Sequence, residues 1–210
     1  MVSEENKGEA GRPGERGPAD HKTRLQLLDE AESHFRHYGY AKTTVADLAR
    51  AIGVSPAYVY RFFESKQAIG EAICGKILGQ ICSSLMAVEV EPLSASERLR
   101  RIYRTLVAQG LELYFSERKL HDIAVAAIDG HWSSVDGYLD NLRALVRRVV
   151  VAGREGGEFE RKTPLDDLCA AIFCTLKPFG HPMLLEQTDR DSLQADAEQV
   201  ANLVLRSLAP

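Results

Sequence analysis

From His21 onward, apolar residues recur at steps of three and four, and no stretch alternates apolar with polar residues like a half-buried strand. A chain with that single period buries its apolar stripes only by packing helix on helix, so the expected fold class is all-α. The first segment, residues 22–38, sets Leu25, Leu28, Ala31, Glu32 and Phe35 on one face and stops at Gly39. Six further segments follow at about 66–88, 95–116, 117–129, 133–155, 164–179 and 192–208. Pro92, Gly130, Gly156-Gly157, Pro164, Pro178 and Pro182 punctuate them. Leu99, Ile102, Leu106, Gly110 and Leu113 form one stripe, and Leu139, Leu142, Leu145, Val146 and Val149 form another, as in a helical bundle. The last two segments carry Leu168, Ala171, Ile172, Thr175 and Leu176, then Leu193, Val200, Leu203, Val204 and Leu208. Faces that wide can meet a second copy of the chain as well as the chain's own core.

Composition excludes several classes. Apolar residues make up 45% of the 210 and charged residues 27%, which rules out a mostly disordered chain. No run of 18 apolar residues offers a bilayer span, so no membrane partner is expected. Residues 1–20 are rich in Gly, Pro, Glu and Arg and are expected to be a flexible tail. They lack the apolar centre of a secretory signal, and the expected compartment is the cytoplasm. Cys74, Cys82, Cys169 and Cys174 show no metal-ligand spacing and read as small buried hydrophobes, so no metal or cofactor is expected. The net charge of −4 argues at first against a nucleic-acid partner, but its distribution matters more. Residues 21–66 hold seven basic and five acidic side chains, whereas the segments on either side are net negative. A modestly basic module on an acidic body suits DNA contact.

The informative stretch lies within that module, at residues 42–66 (KTTVADLARAIGVSPAYVYRFFESK). Thr44 with Asp47 three residues on is a capping-box pair that opens a helix with Val45, Leu48, Ala49 and Ile52 on one face. Gly53 can take the left-handed conformation that ends it, and Ser55-Pro56 is an N-cap followed by a proline suited to the first helical position. Two helices of about eight residues joined by so short a glycine-bearing link form a helix-turn-helix, supported by the helix at 22–38. On the second, Val59, Phe62 and Phe63 supply the buried side. Pro56, Ala57, Tyr58, Tyr60 and Arg61 lie at its start or open side, where a small Ala57 admits base edges and Tyr and Arg bond phosphates. Tyr58 and Tyr60 would equally serve as amphipathic packing residues. Lys66, a cation in the first turn of the next helix, opposes the helix dipole unless an anion such as a DNA phosphate settles there; otherwise it is a solvated surface lysine.

The run GYAKTTVADLARAIGVSPAYVYRFFESKQAIGEAI closely resembles the DNA-binding signature of the TetR/AcrR family of regulators. The match is in register through Gly39, Tyr40, Thr43-Thr44-Val45, Leu48-Ala49, Ala51, Gly53-Val54-Ser55, Tyr60, Phe63 and Lys66. The resemblance implies an N-terminal three-helix DNA-binding domain over residues 21–66. It also implies a larger helical-bundle ligand-binding and dimerisation domain over 67–210. By position it implies phosphate contacts from Thr43, Thr44, Ser55, Tyr60 and Lys66, with Pro56, Ala57, Tyr58 and Arg61 in or beside the major groove. It implies a homodimer formed through the last two helices, a palindromic double-stranded DNA operator, and a repressor released by a small-molecule effector. Pro56-Ala57 departs from the basic residue and glycine that many relatives carry there, which implies fewer basic contacts.

In the remaining helices Tyr103, Tyr114, Phe115, Trp132, Tyr138, Phe173 and Phe179 are candidates to line an apolar pocket or to fill the core. His121, Asp122, Asp129 and His131 form the one alternative constellation with possible metal or acid-base chemistry, at no tight ligand spacing. No G-x-S-x-G, P-loop, H-E-x-x-H or dinucleotide fingerprint supports an enzyme.

Overall fold

The computed structural model describes residues 18–115, 117–185 and 189–210, and these form helices joined by short turns. The first is α1 (Pro18–Tyr38), which starts four residues earlier than periodicity indicates. A proline suits a helix's first position because its missing amide hydrogen would have no helical partner there, and Asp20 favours the positive helix end. The tail expected through residue 20 is therefore corrected at residues 18–20, and residues 1–17 lie outside the described ones. Leu25, expected in the core, is 46% exposed, and Leu27 joins Leu28, Ala31 and Phe35 on the buried face instead.

Next come α2 (Val45–Ile52), α3 (Pro56–Tyr60) and the long α4 (Lys66–Glu89). The body adds α5 (Ala95–Phe115), α6 (Arg118–Asp129), α7 (Ser133–Glu155), α8 (Leu165–Gly180), α9 (Pro182–Leu185) and α10 (Arg190–Ser207). The short α9 had no periodic signal of its own, because one turn is too short to carry one.

Two apolar cores meet along α4. The first joins α1 and the α2–α3 pair to Ile69, Ile73 and Cys74 of α4, to Leu120, Ile123 and Ala127 of α6, and to Trp132. The second gathers Ile81, Leu85 and Val88 of α4 with the inner faces of α5, α7, α8 and α10. Ile77 and Leu78 pack against both. The division placed between residues 66 and 67 thus falls inside continuous packing. Among the described residues, α4 is the one helix long and apolar enough to cross a bilayer. In this fold its apolarity serves two cores.

Charged contacts tie α1 to the body. Lys76 of α4 bonds Asp29 at 2.9 Å and Glu32 at 2.8 Å, while Arg36 bonds Glu32 at 2.8 Å and pairs with Glu117 at the entry to α6. Burial pushes the Glu32 carboxyl up, but hydrogen bonds from Lys76 and Arg36 outweigh it and hold the group below its ordinary range. A carboxyl depressed in the folded state stabilises at pH values above its unfolded pKa, and that contribution disappears as pH falls through the folded value. Lys76→Met is therefore expected to lower stability at neutral pH by about 1–3 kcal/mol, because it strips a partner from a nearly buried carboxylate. In urea titrations the difference between variant and parent should narrow below about pH 4; an equal difference at acid and neutral pH would refute the account.

Candidate nucleic-acid interface

The helix-turn-helix is built by local bonds. The Thr44 hydroxyl accepts from the Asp47 amide at 3.1 Å, and the Asp47 carboxylate accepts from the Thr44 amide at 3.0 Å and from its hydroxyl at 2.6 Å. These reciprocal bonds hold the Asp47 carboxyl below its usual range. At the other end of α2, Gly53 sits at φ 76° and Val54 donates to the Ala49 carbonyl at 2.9 Å. Ser55 then caps α3 by accepting from the Tyr58 amide at 3.2 Å, and Ser65 caps α4 through the Ala68 amide at 3.0 Å.

The α3 helix proper has five residues rather than about eight. Phe62 and Phe63 both donate to the Val59 carbonyl, which tightens the exit so that Val59, Phe62 and Phe63 all turn into the core. The opposite side is open. Pro56 and Ala57 are exposed at the helix start, and Tyr60 is 52% exposed. Tyr58 leans edge-on against the Phe62 ring at 5.4 Å yet keeps an exposed face. Arg61 lies over the other side of that ring and pairs with Asp20 at 3.1 Å. Thr44 and Ser55 are exposed beside them.

Two of the residues expected at phosphates, Thr43 and Lys66, have partners within the fold. Thr43 is only 2% exposed and its hydroxyl donates to the Gly39 carbonyl at 2.8 Å, so it closes the turn after α1. The Lys66 ammonium donates to the Tyr40 carbonyl at 3.1 Å and to the Ala41 carbonyl at 3.5 Å, and it lies 4.5 Å from the centre of the Tyr40 ring. The anion that a cation at a helix start calls for is supplied here by carbonyls and a ring face. Lys42, absent from the expected set, is exposed beside Thr43 and Thr44. Its signal was its place, directly before the first capping residue.

Behind this face lies a cavity of about 380 Å³ between α4, α5, α6, α7 and α8. Leu78, Ile81, Leu106, Leu139, Leu142 and Leu176 form most of its apolar wall. Of the candidate aromatics, Trp132, Tyr138 and Phe173 line it. Tyr103 and Phe179 pack on each other in the core, Tyr114 packs on His121, and the Phe115 side chain lies outside the described ones. His121, Asp122 and Asp129 are spread along α6 and His131 lies in the turn after it: His121 is buried and donates through Nε2 to the Pro182 carbonyl at 3.1 Å, while the others are exposed. Among the described residues no three such groups converge.

Cavity and head share a wall. Trp132 packs edge-on against Tyr40 at 5.8 Å, Tyr40 packs likewise on Phe35 at 5.3 Å, and Lys66 bonds the Tyr40 carbonyl. Gly70 admits both rings: a Cβ there would stand 2.7 Å from Tyr40 and 2.8 Å from Trp132.

Residues 27–73 match the model of a family described as bacterial regulatory proteins, tetR family, and residues 95–201 match a tetracyclin repressor-like C-terminal domain. The chain is 29% identical over 123 residues to the HTH-type transcriptional repressor KstR2 of Rhodococcus jostii; the match covers 59% of this chain and about half, 52%, of that relative. Its fold is similar to a TetR-family transcriptional regulator of Pectobacterium atrosepticum, with a TM-score of 0.74 at 21% identity, covering 92% of this chain and 98% of the other. It is also similar to the transcriptional regulator FadR of Bacillus subtilis, solved in complex with stearoyl-CoA, with a TM-score of 0.62 at 18% identity, covering 88% and 98%.

The different surroundings of Lys66 and Tyr60 separate their effects on stability. Lys66→Met is expected to destabilise the free protein by about 1–2 kcal/mol, as befits lost charge-assisted bonds. Tyr60→Ala should stay within about 0.5 kcal/mol of the parent. Urea denaturation of both variants checks the pair, and equal stabilities would contradict the Lys66 assignment.

Proposed function

This chain belongs to the tetR family of bacterial regulatory proteins, and from that premise we propose that it is a sequence-specific DNA-binding transcriptional repressor released by a small apolar effector. The observation that carries the reading is the division of α3: its apolar side is buried in the head while Pro56, Ala57, Tyr58, Tyr60 and Arg61 stay exposed. A helix braced from behind and open in front can enter a major groove, with Ala57 and Tyr58 at base edges and Thr44, Ser55, Tyr60 and Arg61 at phosphates. Lys42 joins that phosphate set, and Lys66 acts by bracing the turn that presents Thr44.

A homodimer through α8 and α10 fits the same reading. Ala170, Ala171 and Cys174 lie exposed on α8, and Leu203 of α10 is 67% exposed, an apolar face without cover in one chain. A two-fold pair spaces two α3 helices for successive grooves about 34 Å apart, which calls for a palindromic operator of double-stranded DNA. Working on chromosomal DNA puts the protein in the cytoplasm.

Release follows from the shared wall. An effector that displaces Trp132 also displaces Tyr40, and through the Tyr40 carbonyl the start of α4 and the turn before α2. The cavity's apolar lining suits a hydrophobic effector, and the stearoyl-CoA bound by the similarly folded FadR is in keeping with one.

Mobility-shift titration against the DNA upstream of its own gene tests the proposal. The parent should shift it, and Tyr60→Ala or Arg61→Ala should weaken binding by at least about tenfold while leaving stability unchanged. Leu203→Asp should leave a folded monomer in sedimentation and abolish the shift. Absence of any shift at low salt sinks the reading.

A further inference from the structure

We propose that the cavity is built for an apolar molecule ending in a carboxylate, with the carboxylate held by Lys177 and His181 at the end of α8 and met across the cavity by the Tyr138 phenol. This deepens the reading of the cavity as an effector site and rests on it.

Most of the wall is hydrocarbon, so its few polar groups define what a ligand must carry. The His181 Nδ1 atom is buried without a hydrogen-bond partner among the described residues. A group left in that state costs stability unless something bonds it. Its backbone is braced from both sides: the His181 carbonyl accepts from the Leu184 and Leu185 amides, and the next carbonyl, of Pro182, accepts from His121. Lys177 stands in the last turn of α8 and His181 directly follows that helix with an extended backbone, and both line the cavity. The Lys177 ammonium lies 5.2 Å from the centre of the Phe173 ring, and no described carboxylate pairs with it.

Tyr138 reaches the same level from α7. Arg143 of α7 stacks on Phe173 of α8, and Arg147 pairs with Asp166, so the two helices run antiparallel. That register sets Tyr138 beside Lys177. No hydrogen bond ties the Tyr138 hydroxyl to another described residue, and burial pushes its pKa far above the ordinary phenol value, so it remains a donor. One cation, one imidazole and one phenol donor at a single end of an apolar chamber match a carboxylate head better than an alcohol. They repel an ammonium. Asp136, the one acid in the wall, and Lys177 are both exposed, so solvent screens either charge, and the orphaned His181 nitrogen and the Tyr138 phenol decide the preference for an acceptor head.

The chain carries its own reporter, because its single tryptophan, Trp132, lines the cavity. Fluorescence titrations of the full chain would use dodecanoate and cyclohexanebutanoate, each beside the alcohol and the amine of the same carbon frame. At least one acid should bind about tenfold or more tighter than its alcohol, and the amines more weakly still. Lys177→Met and His181→Leu should each weaken the acid by about tenfold and leave the alcohol unchanged, with His181→Gln restoring much of the loss; Tyr138→Phe should act in the same direction. An acid no tighter than its alcohol, an amine preferred over both, no response to any probe, or variants that bind the acid like the parent would each overturn the inference. The mobility shift run on the same preparation separates the two readings: DNA binding without head-group preference refutes this inference alone, and acid binding without a DNA shift refutes the repressor alone.

Discussion

The whole arrangement depends on a core that the helix-turn-helix head cannot complete by itself. Helices of eight and five residues are far below the length at which a helix persists alone, so their conformations are held by burial of Leu48, Val59, Phe62 and Phe63. The surface that receives those side chains comes from α1 and equally from Ile69 and Ile73 of α4, Leu120 and Ile123 of α6, and Trp132. A close-packed interior transmits displacement because it has no slack. The same economy that makes so small a head stable therefore makes it responsive to whatever moves α4, α6 or Trp132.

Ion pairs refine that dependence. Lys76 of α4 and Arg36, one turn further along α1, converge on Glu32, and the carboxylate is too buried to be content with water in their place. Apolar packing sets how closely head and body approach, but its attraction has no direction. The bonds gripping the carboxylate are directional. The ion pairs thus fix which of several similar packings the head adopts on α4.

How legible this was in the sequence depends on the range of the interactions involved. The all-helical class, the capping roles of Thr44, Ser55 and Ser65, and the left-handed Gly53 follow from bonds spanning three to five residues, and those were readable. The split of α3 into buried and exposed sides was also readable, because one apolar face determines it. The partners of Thr43 and Lys66 within the fold were not readable: Thr43 bonds back to Gly39, and Lys66 reaches twenty-six residues upstream to Tyr40, a partnership that spacing along one helix cannot reveal. Leu25 looked like core because its step to Leu28 is helical, but no neighbouring helix covers it. The cavity was opaque for the same reason. Trp132, Tyr138 and Phe173 sit at ordinary helical spacings, and only the assembly of five helices separates them from the aromatics that fill the core.

The charges of the head bear on how it would hold DNA. Three of its seven basic side chains meet carboxylates within the fold, Arg50 with Asp47, Arg61 with Asp20 and Arg36 with Glu32, and Lys66 bonds two carbonyls. In the proposed complex Arg61 would exchange Asp20 for a phosphate, so the Coulomb gain is a difference between two partners and not a full new pair. Lys42 and the hydroxyls of Thr44, Ser55 and Tyr60 add contacts with at most one further cation among them. With those three cations already paired, the head in the proposed complex would gain less from counterion release than one whose cations were all free, and its binding would fall less steeply with salt. Discrimination must then come from fit: from how closely Ala57 lets α3 approach the bases, and from whether two copies stand at the spacing of successive grooves. That is the kind of binding a small displacement can abolish. An effector behind Trp132 need not unfold the head or neutralise it, only move two α3 helices out of register with the duplex.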